Sequence, residues 1–185
     1  MQLNLTMPVI DTIKNIIRRK FETELELIIS DLRDELRQQG HRATGSLDQS
    51  LTFEIKDSDK DGLLGTIFGN DYWRPVDTGV SAGRIPYSPG KGRGGTSKYI
   101  QALIDWAAVV RPELDEKERK GFVFAVATKA SREGNPTRGS YAFSRNGSRT
   151  NFVQRVIDKH INQLAANIGG QDLADRIAAE ILKAA

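Results

Sequence analysis

The first forty residues carry the strongest periodic pattern in the chain. Apolar side chains recur there at intervals of three and four residues, which places them on one stripe of an α-helix. The stripe consists of Ile10, Ile13, Ile17, Phe21, Leu25, Ile28, Leu32 and Leu36. Gly40 can end the helix in a left-handed conformation, so we predict one amphipathic helix over about residues 7–39, roughly 45–50 Å long. Such a helix buries its stripe on the sheet of its own chain or, in part, on a partner subunit.

A second pattern, strict alternation of apolar and polar residues, follows at residues 50–56 (Ser-Leu-Thr-Phe-Glu-Ile-Lys). Alternation is typical of a half-buried strand, and residues 63–68 can return beside it as an antiparallel partner. Residues 57–62 then form the turn. They also match the start of a calcium loop, Asp-x-Asp-x-Asp-Gly, but the twelfth position is Phe68, where such a loop requires a bidentate Glu. The pattern therefore favours a hairpin turn over a calcium site.

The remaining apolar patterns are helical. Residues 97–110 place Ile100, Leu103, Ile104 and Ala107 on one face, and the segment ends before a proline. Residues 113–133 are ambiguous, because the apolar run at 121–128 could be a buried strand, whereas its charged flanks and Gly134 favour a helix; we predict a helix. The helical period returns over residues 152–168, and a short helix is predicted near the C-terminus.

Together these elements predict an α+β fold. A long N-terminal helix (residues 1–40) precedes a core of small antiparallel β-sheet, hairpin and long loops (41–168), and a short C-terminal helix (169–185) follows. The C-terminal helices pack on the sheet. A length of 185 residues, with 38% hydrophobic and 28% charged residues, fits one domain over 1–185.

Composition bears mainly on chemistry. The absence of cysteine excludes disulfides, thiolate catalysis and cysteine-based metal sites. The two histidines, His41 and His160, have no partner pattern, and no serine stands in a Gly-x-Ser-x-Gly elbow. No run approaches the roughly 18–20 apolar residues that span a bilayer. We therefore expect no enzymatic activity, no cofactor, no metal and no membrane contact.

Much of the basic excess lies in and beside two irregular segments, residues 69–95 and 135–150. The net charge is only +3, yet residues 84–98 contain four basic residues and no acidic one, and residues 129–149 contain five basic residues and one acidic one, with tyrosines between them. Arg and Tyr often anchor protein interfaces, and neither segment forms the continuous basic stripe of a groove binder, so an interface is favoured over nucleic acid. The interface candidates are Arg84, Tyr87, Lys91, Arg93, Arg138, Tyr141, Arg145 and Arg149.

Two short motifs stand in a fixed order along the chain. Residues 44–51 contain a Thr-Gly-x-Leu-x-x-Ser element, and residues 72–79 a Tyr-x-x-x-Val-Asp-x-Gly element. Their residues, with one tryptophan further on, are Thr44, Gly45, Leu47, Ser50, Tyr72, Val76, Asp77, Gly79 and Trp106. This order, from about residue 42 to 160, resembles the head-to-tail joining or tail-completion proteins of tailed bacteriophages. The chain departs from their pattern in the long loop at 80–98 and in lacking a Pro-Phe-Leu-x-Pro-Ala ending.

The resemblance implies a structural subunit without catalytic activity. Such subunits form a homo-oligomeric ring of six or twelve copies in the virion neck or tail, between portal-side and tail proteins, with DNA passing through the bore without specific binding. They are made in the cytoplasm of the host bacterium. Two other functions remain open: a nucleic-acid binding module that uses the basic Arg and Tyr loops, and a metal-dependent hydrolase that uses Asp57, Asp59 and Asp61.

Overall fold

The computed structural model describes residues 7–41, 43–58, 62–90 and 97–170. Over this part of the chain the fold is α+β, with a long N-terminal helix, a two-stranded antiparallel sheet and C-terminal helices, as predicted. The helices are α1 (Met7–Gln38), α2 (Ser46–Ser50), α3 (Trp73–Thr78), α4 (Lys98–Val110), α5 (Glu116–Glu133) and α6 (Phe152–Gly169). The strands are β1 (Thr52–Ser58) and β2 (Gly62–Phe68), and short 3₁₀ helices cover Ala82–Arg84 and Arg138–Phe143.

The long helices occur where the apolar period predicts them, whereas the short helices were not predicted. The ambiguous segment 121–128 lies inside α5 and is helical. The hairpin strands extend further into the predicted turn, so that Asp57 is in β1 and Gly62 in β2. The segments predicted as irregular contain α3 and both 3₁₀ helices, and α2 was not predicted at all. Five or six residues are too few to show a helical period. Most of the predicted C-terminal helix, 171–185, lies outside the described residues.

The chain divides into two compact units. Unit 1 consists of Met1–Arg33, Leu51–Gly69 and Val153–Ala185, and unit 2 of Asp34–Ser50 and Asn70–Phe152. The prediction of one domain over 1–185 stays a prediction.

Unit 2 has its core between α4 and α5. Ile100, Ala107, Val123 and Ala127 form a buried cluster, and Tyr87 packs against it from the loop before α4. The two alanines are fully buried, which lets the helix backbones approach closely. Both helices start on side-chain caps: Ser97 Oγ accepts from the backbone of α4, and Asp115 forms a capping box in α5.

Unit 1 packs the apolar stripe of α1 on the hairpin. Its buried residues include Leu25, Ile28 and Leu32, as predicted. A Cβ added at Gly65 of β2 would lie 2.8 Å from side-chain atoms of Phe21 and of Leu25, so the helix lies directly against the strand backbone. Arg18 ties the helix to β1 by donating to the Asp57 carboxylate at 2.9 Å and to the Ile55 carbonyl at 3.1 Å.

Helix α6 joins unit 1 through one carboxylate on α1. Asp31 Oδ2 accepts from Lys159 Nζ and from His160 Nε2, the latter at 2.7 Å. The hydrogen bond from Lys159 is the main reason that the pKa of Asp31 lies below its ordinary value; burial opposes the shift, and His160 adds to it. His160 is buried on α6, so it serves this contact between helices.

Replacing Asp31 with Asn is expected to lower the free energy of unfolding by about 1–2 kcal/mol at pH 7, because the amide cannot pair with Lys159. Since folding lowers the pKa of Asp31, the unfolded chain binds its proton more readily, and the stabilisation is lost as pH falls below about 4. Denaturant unfolding at pH 7 and pH 3 measures the difference between wild type and variant, which should shrink at low pH. Asp158→Asn, an exposed change on α6, is the control; an equal effect there would contradict the assignment.

Candidate assembly surface

The first motif forms a small joint around α2. Gly45 precedes the helix with φ +75°, a conformation that favours glycine. Ser50 Oγ donates to the Leu47 carbonyl at 2.8 Å and accepts from the Asn70 backbone at 2.9 Å. Asn70 Nδ2 donates to Ser46 Oγ at 2.9 Å. The predicted motif residues thus fix the start of the segment that carries the second motif.

The second motif ends at a two-bond bridge between backbone segments. Val80 donates to the Asn135 carbonyl at 2.7 Å, and Asn135 donates to the Val80 carbonyl at 2.8 Å. Gly79 and Gly134 precede the bridge on either side, with φ +73° and +89°. A Cβ at Gly79 would lie 2.9 Å from the Asn135 oxygen, and one at Gly134 would lie 2.7 Å from the Val80 oxygen. The bridge therefore requires glycine at both positions.

The same motif touches the residue just before α6. The Asp77 carbonyl accepts from the Asn151 backbone at 2.6 Å, and Val76 is half-buried beside it in α3. Tyr72 is 44% exposed, and its hydroxyl lies 3.5 Å from Asn70 Nδ2. The motif residues of 44–50 and 72–79 are therefore close in space, whereas Trp106 lies on α4 and stacks on Phe122 instead.

The segment 135–150 is tied to the C-terminal end of α1. Arg145 donates from its backbone to the Gln38 carbonyl at 2.8 Å, and Asn146 Nδ2 donates to Glu35 Oε1 at 2.6 Å. Gln39 is fully buried, and its amide donates to Glu35 Oε1 at 2.9 Å and to the Thr150 carbonyl at 3.1 Å. The segment predicted as irregular is thus held along its length by hydrogen bonds.

Arg149 turns inward at this junction. Its Nη2 donates to the Gly40 carbonyl at 3.2 Å, and its own carbonyl accepts from His41 Nε2 at 2.9 Å. Burial lowers the pKa of Arg149; it also lowers the pKa of His41, against the opposing hydrogen bond to the Arg149 carbonyl. Gly40 has φ +72°, as its predicted role in ending α1 requires.

The other interface candidates lie in different environments. Arg84, Arg138 and Arg145 are exposed. Tyr87 and Tyr141 are half-buried, and the ring of Tyr87 lies 6.3 Å from that of Phe124. Lys91 and Arg93 lie outside the described residues.

Several large apolar side chains exposed on α4 and α5 were missed by sequence reasoning. They are Trp106 (36%), Val109 (49%), Val110 (36%) and Phe124 (43%). Phe122 stacks on Trp106 with ring centroids 6.0 Å apart, and the Arg111 guanidinium lies 5.3 Å from the Phe122 centroid. The signal was present in the apolar run 122–127, since six successive residues of a helix point all around its axis and cannot share one core.

A shallow, open groove of about 490 Å³ follows one face of α5. It is lined by Phe124, Ala125, Thr128, Lys129, Arg132 and Glu133. A Cβ at Gly139 would lie 2.8 Å from Lys129 Nζ, and Glu133 Oε2 accepts from the Arg138 backbone at 3.0 Å, so the second 3₁₀ helix adjoins the polar end. The side chains of Lys129, Arg132 and Arg138 make no ion pair with a described residue. The groove therefore has an apolar end at Phe124 and Ala125 and a charged end, where the acidic Glu133 lies with the basic Lys129 and Arg132.

Among the described residues, no group of three or more His, Asp or Glu side chains could hold a metal ion. Asp57 pairs with Arg18, and Asp59 and Asp61 lie outside the described residues. No helix in the described part of the chain is long and apolar enough to cross a membrane.

Comparison of the chain with known protein families, with curated proteins and with solved structures found no match.

Gly79→Ala is expected to lower the free energy of unfolding by about 2–4 kcal/mol, because a Cβ there adds a clash with backbone to an unfavourable φ. Gly147→Ala is the matched control, since Gly147 has φ +67° but open space where its Cβ would stand. It should cost about 1 kcal/mol, the conformational part alone. Thermal or denaturant unfolding measures both. Equal losses of unfolding free energy in the two variants would show that the short distance between position 79 and the Asn135 carbonyl does not contribute to the cost of the substitution.

Arg149→Ala is expected to destabilise the protein by about 1–2 kcal/mol, because it removes the charged donor to the Gly40 carbonyl and the packing of a long, half-buried side chain. Arg138→Ala should change stability by no more than about 0.5 kcal/mol, since that side chain is exposed. Urea unfolding of the two variants compares the half-buried Arg149 with the exposed Arg138. Equal unfolding midpoints would contradict the conclusion that only Arg149 contributes to the stability of the subunit.

Proposed function

We propose that this chain is a structural subunit of the neck or tail-completion region of a tailed bacteriophage, where it assembles with further copies into a ring. The observation that carries the proposal is the set of large apolar side chains exposed on α4 and α5, together with Lys129 and Arg132, which line the same groove as Phe124 and make no ion pair with a described residue. Aromatic residues, aliphatic residues and arginine dominate the energetics of protein interfaces once they are desolvated. A subunit that displays them over two adjacent helices is suited to lasting contact with other proteins.

The two motifs support the same proposal in another way. The hydroxyls of Thr44 and Ser50 bond to backbone groups, and the bridge after Gly79 consists of backbone hydrogen bonds. Such residues set the path of the chain. In unit 2 that path fixes the end of α5 and the start of the segment that carries Arg138, Tyr141 and Arg145. The motifs on which the resemblance rests therefore position the surface that would make contact.

Ring assembly requires contacts that repeat from copy to copy. A head-to-tail contact between two different patches produces a ring when the rotation from one copy to the next divides a full turn into a whole number of steps. The neighbours above and below the ring would be portal-side and tail proteins, and DNA would pass through the bore without specific contacts.

Binding to nucleic acid is the second candidate, because Lys129, Arg132 and Arg138 are free to meet phosphates near exposed aromatic rings. Its signature is an affinity for DNA that falls steeply with salt. The proposal favours an interface, because Lys129 and Arg132 share a short groove with the apolar Phe124 and Ala125 and are not part of a continuous basic track.

In a phage that carries this gene, a nonsense codon early in the reading frame is expected to yield DNA-filled heads and finished tails that do not join. Wild-type protein supplied in trans should restore joined particles. Protein with Trp106→Ala and Phe124→Ala should restore at least about tenfold fewer, because it lacks two interface anchors. Electron microscopy and plaque counts are the measurements, and Lys117→Ala, an exposed change elsewhere on α5, is the control. Normal particles without the protein would reject the proposal, and steep salt-dependent DNA binding would then favour the second candidate.

A further inference from the structure

The hairpin of unit 1 has one protected edge and one open edge. Strand β1 contains three charged residues, Glu54, Lys56 and Asp57. Arg18 of α1 also donates to the Ile55 carbonyl and to the Asp57 carboxylate of this strand. Charged side chains on an edge strand discourage pairing with a further strand. Strand β2 contains no charged residue and no proline, and no described strand other than β1 pairs with it. The free edge of β2 is therefore open to pairing.

The backbone of β2 has hydrogen-bonding groups to spare. In an antiparallel pair, every second residue of an edge strand directs its N–H and C=O away from the neighbouring strand. No hydrogen bond joins these groups of β2 to a described residue outside the hairpin. Such a row of donors and acceptors recognises one kind of ligand, which is another extended backbone.

The outward face of β2 carries two exposed apolar side chains. Leu64 is 53% exposed and Phe68 is 48% exposed. Helix α1 packs on the other face, where Phe21 and Leu25 lie against Gly65, and successive residues of a strand alternate between faces. Directly opposite residues on one face of a sheet stabilise it when both are apolar. A strand added to β2 would therefore give Leu64 and Phe68 the neighbours that the hairpin lacks.

We propose that β2 pairs with β2 of a second copy, antiparallel and around a two-fold axis at Thr66. In this register Leu64 of each copy lies directly opposite Phe68 of the other, so the exposed residues form two Leu–Phe pairs. Pairing ends at Phe68, because the Asn70 backbone already donates to Ser50 Oγ. A second copy fits this edge since an uncharged strand meets no like charge in its own copy and offers no counter-charge to a charged strand.

The contact leaves room for α1 and stops at two copies. Phe21 and Leu25 lie against β2, and Arg18 reaches β1, so one helix covers both strands. A helix is about 10 Å across, and two strands spaced about 4.8 Å apart occupy nearly the same width. Two copies of α1 can therefore lie side by side on the joined sheet. Both outer strands of that sheet are β1, whose edge is protected, so further copies do not add.

This contact differs from the head-to-tail contact that closes a ring. The same segment of each copy meets its equivalent, so the contact is isologous and joins copies in pairs. It goes beyond the proposed function and does not depend on it, because a dimer can be measured with the isolated protein.

The cysteine-free chain allows a direct test by disulfide formation. Full-length Thr66→Cys protein places its single cysteine on the two-fold axis, where opposite Cα atoms lie about 4.5–5.5 Å apart, within reach of a disulfide. Thr52→Cys is the matched control, because Thr52 is exposed on the same face but in β1. Its two copies would be at least three strand spacings apart, about 14 Å. With oxidised glutathione, Thr66→Cys is expected to form at least about tenfold more linked dimer. Equal yields overturn the proposal.

Sedimentation of cysteine-free protein measures the contact itself. Two short strands form a small interface, so we expect a weak dimer that dissociates on dilution. Thr66→Lys should raise the dimer Kd at least about tenfold, because two like charges would meet on the axis. Thr52→Lys should leave the Kd unchanged. Both positions are exposed, so the melting temperatures of the dilute variants should stay close to wild type.

The other outcomes overturn the contact in distinguishable ways. Wild-type protein that stays monomeric at every concentration has no such contact, and a dimer that is insensitive to Thr66→Lys uses another surface. Aggregates that grow beyond two copies would show that the edge of β1 is not protected. Monomeric protein whose Thr66→Lys variant no longer joins phage heads to tails would assign the edge to a strand of another protein. Absence of the chain from virions rejects the proposed function and leaves a measured dimer standing.

Discussion

The arrangement of unit 2 depends on the close approach of two backbone segments at Val80 and Asn135. Their paired hydrogen bonds join the end of the second motif to the end of α5, although the residues are far apart in sequence. Without a side chain at Gly79 and Gly134 the carbonyl groups can come this near. The segment that follows Asn135 then returns to the end of α1, so the bridge determines where the outward-facing residues of this segment are displayed.

Sequence reasoning succeeded where a pattern extends over many residues. The stripe of α1 and the alternation of the hairpin are long enough to specify both the element and its buried face. It failed at α2 and α3, whose five and six residues are held by hydrogen bonds from distant parts of the chain. It also grouped Arg138 with Arg149, because residue type and local composition carry no information about which side chain meets the Gly40 carbonyl.

Only the basic residues of the candidate surface could be predicted from the sequence, because exposure of apolar residues depends on tertiary packing. Arg84, Arg138 and Arg145 could be found by charge, but Phe124 and Trp106 could not be separated from core residues. Helix α5 has apolar residues on several faces, and only the position of α4 decides which of them are buried. Which charged and which apolar residues are exposed near each other can therefore be decided only from the tertiary packing.

The tethers at the end of α1 also bear on the order in which the chain becomes structured during synthesis. The helix is made before its distant partners, since the Thr150 carbonyl that accepts from the Gln39 amide and the Arg149 side chain that donates to the Gly40 carbonyl lie 111 and 109 residues later. At translation rates of about 5–20 residues per second, that separation corresponds to a wait on the order of ten seconds. During this interval the end of the nascent helix lacks these partners, so its last turn becomes native only after Arg149 and Thr150 have been synthesised.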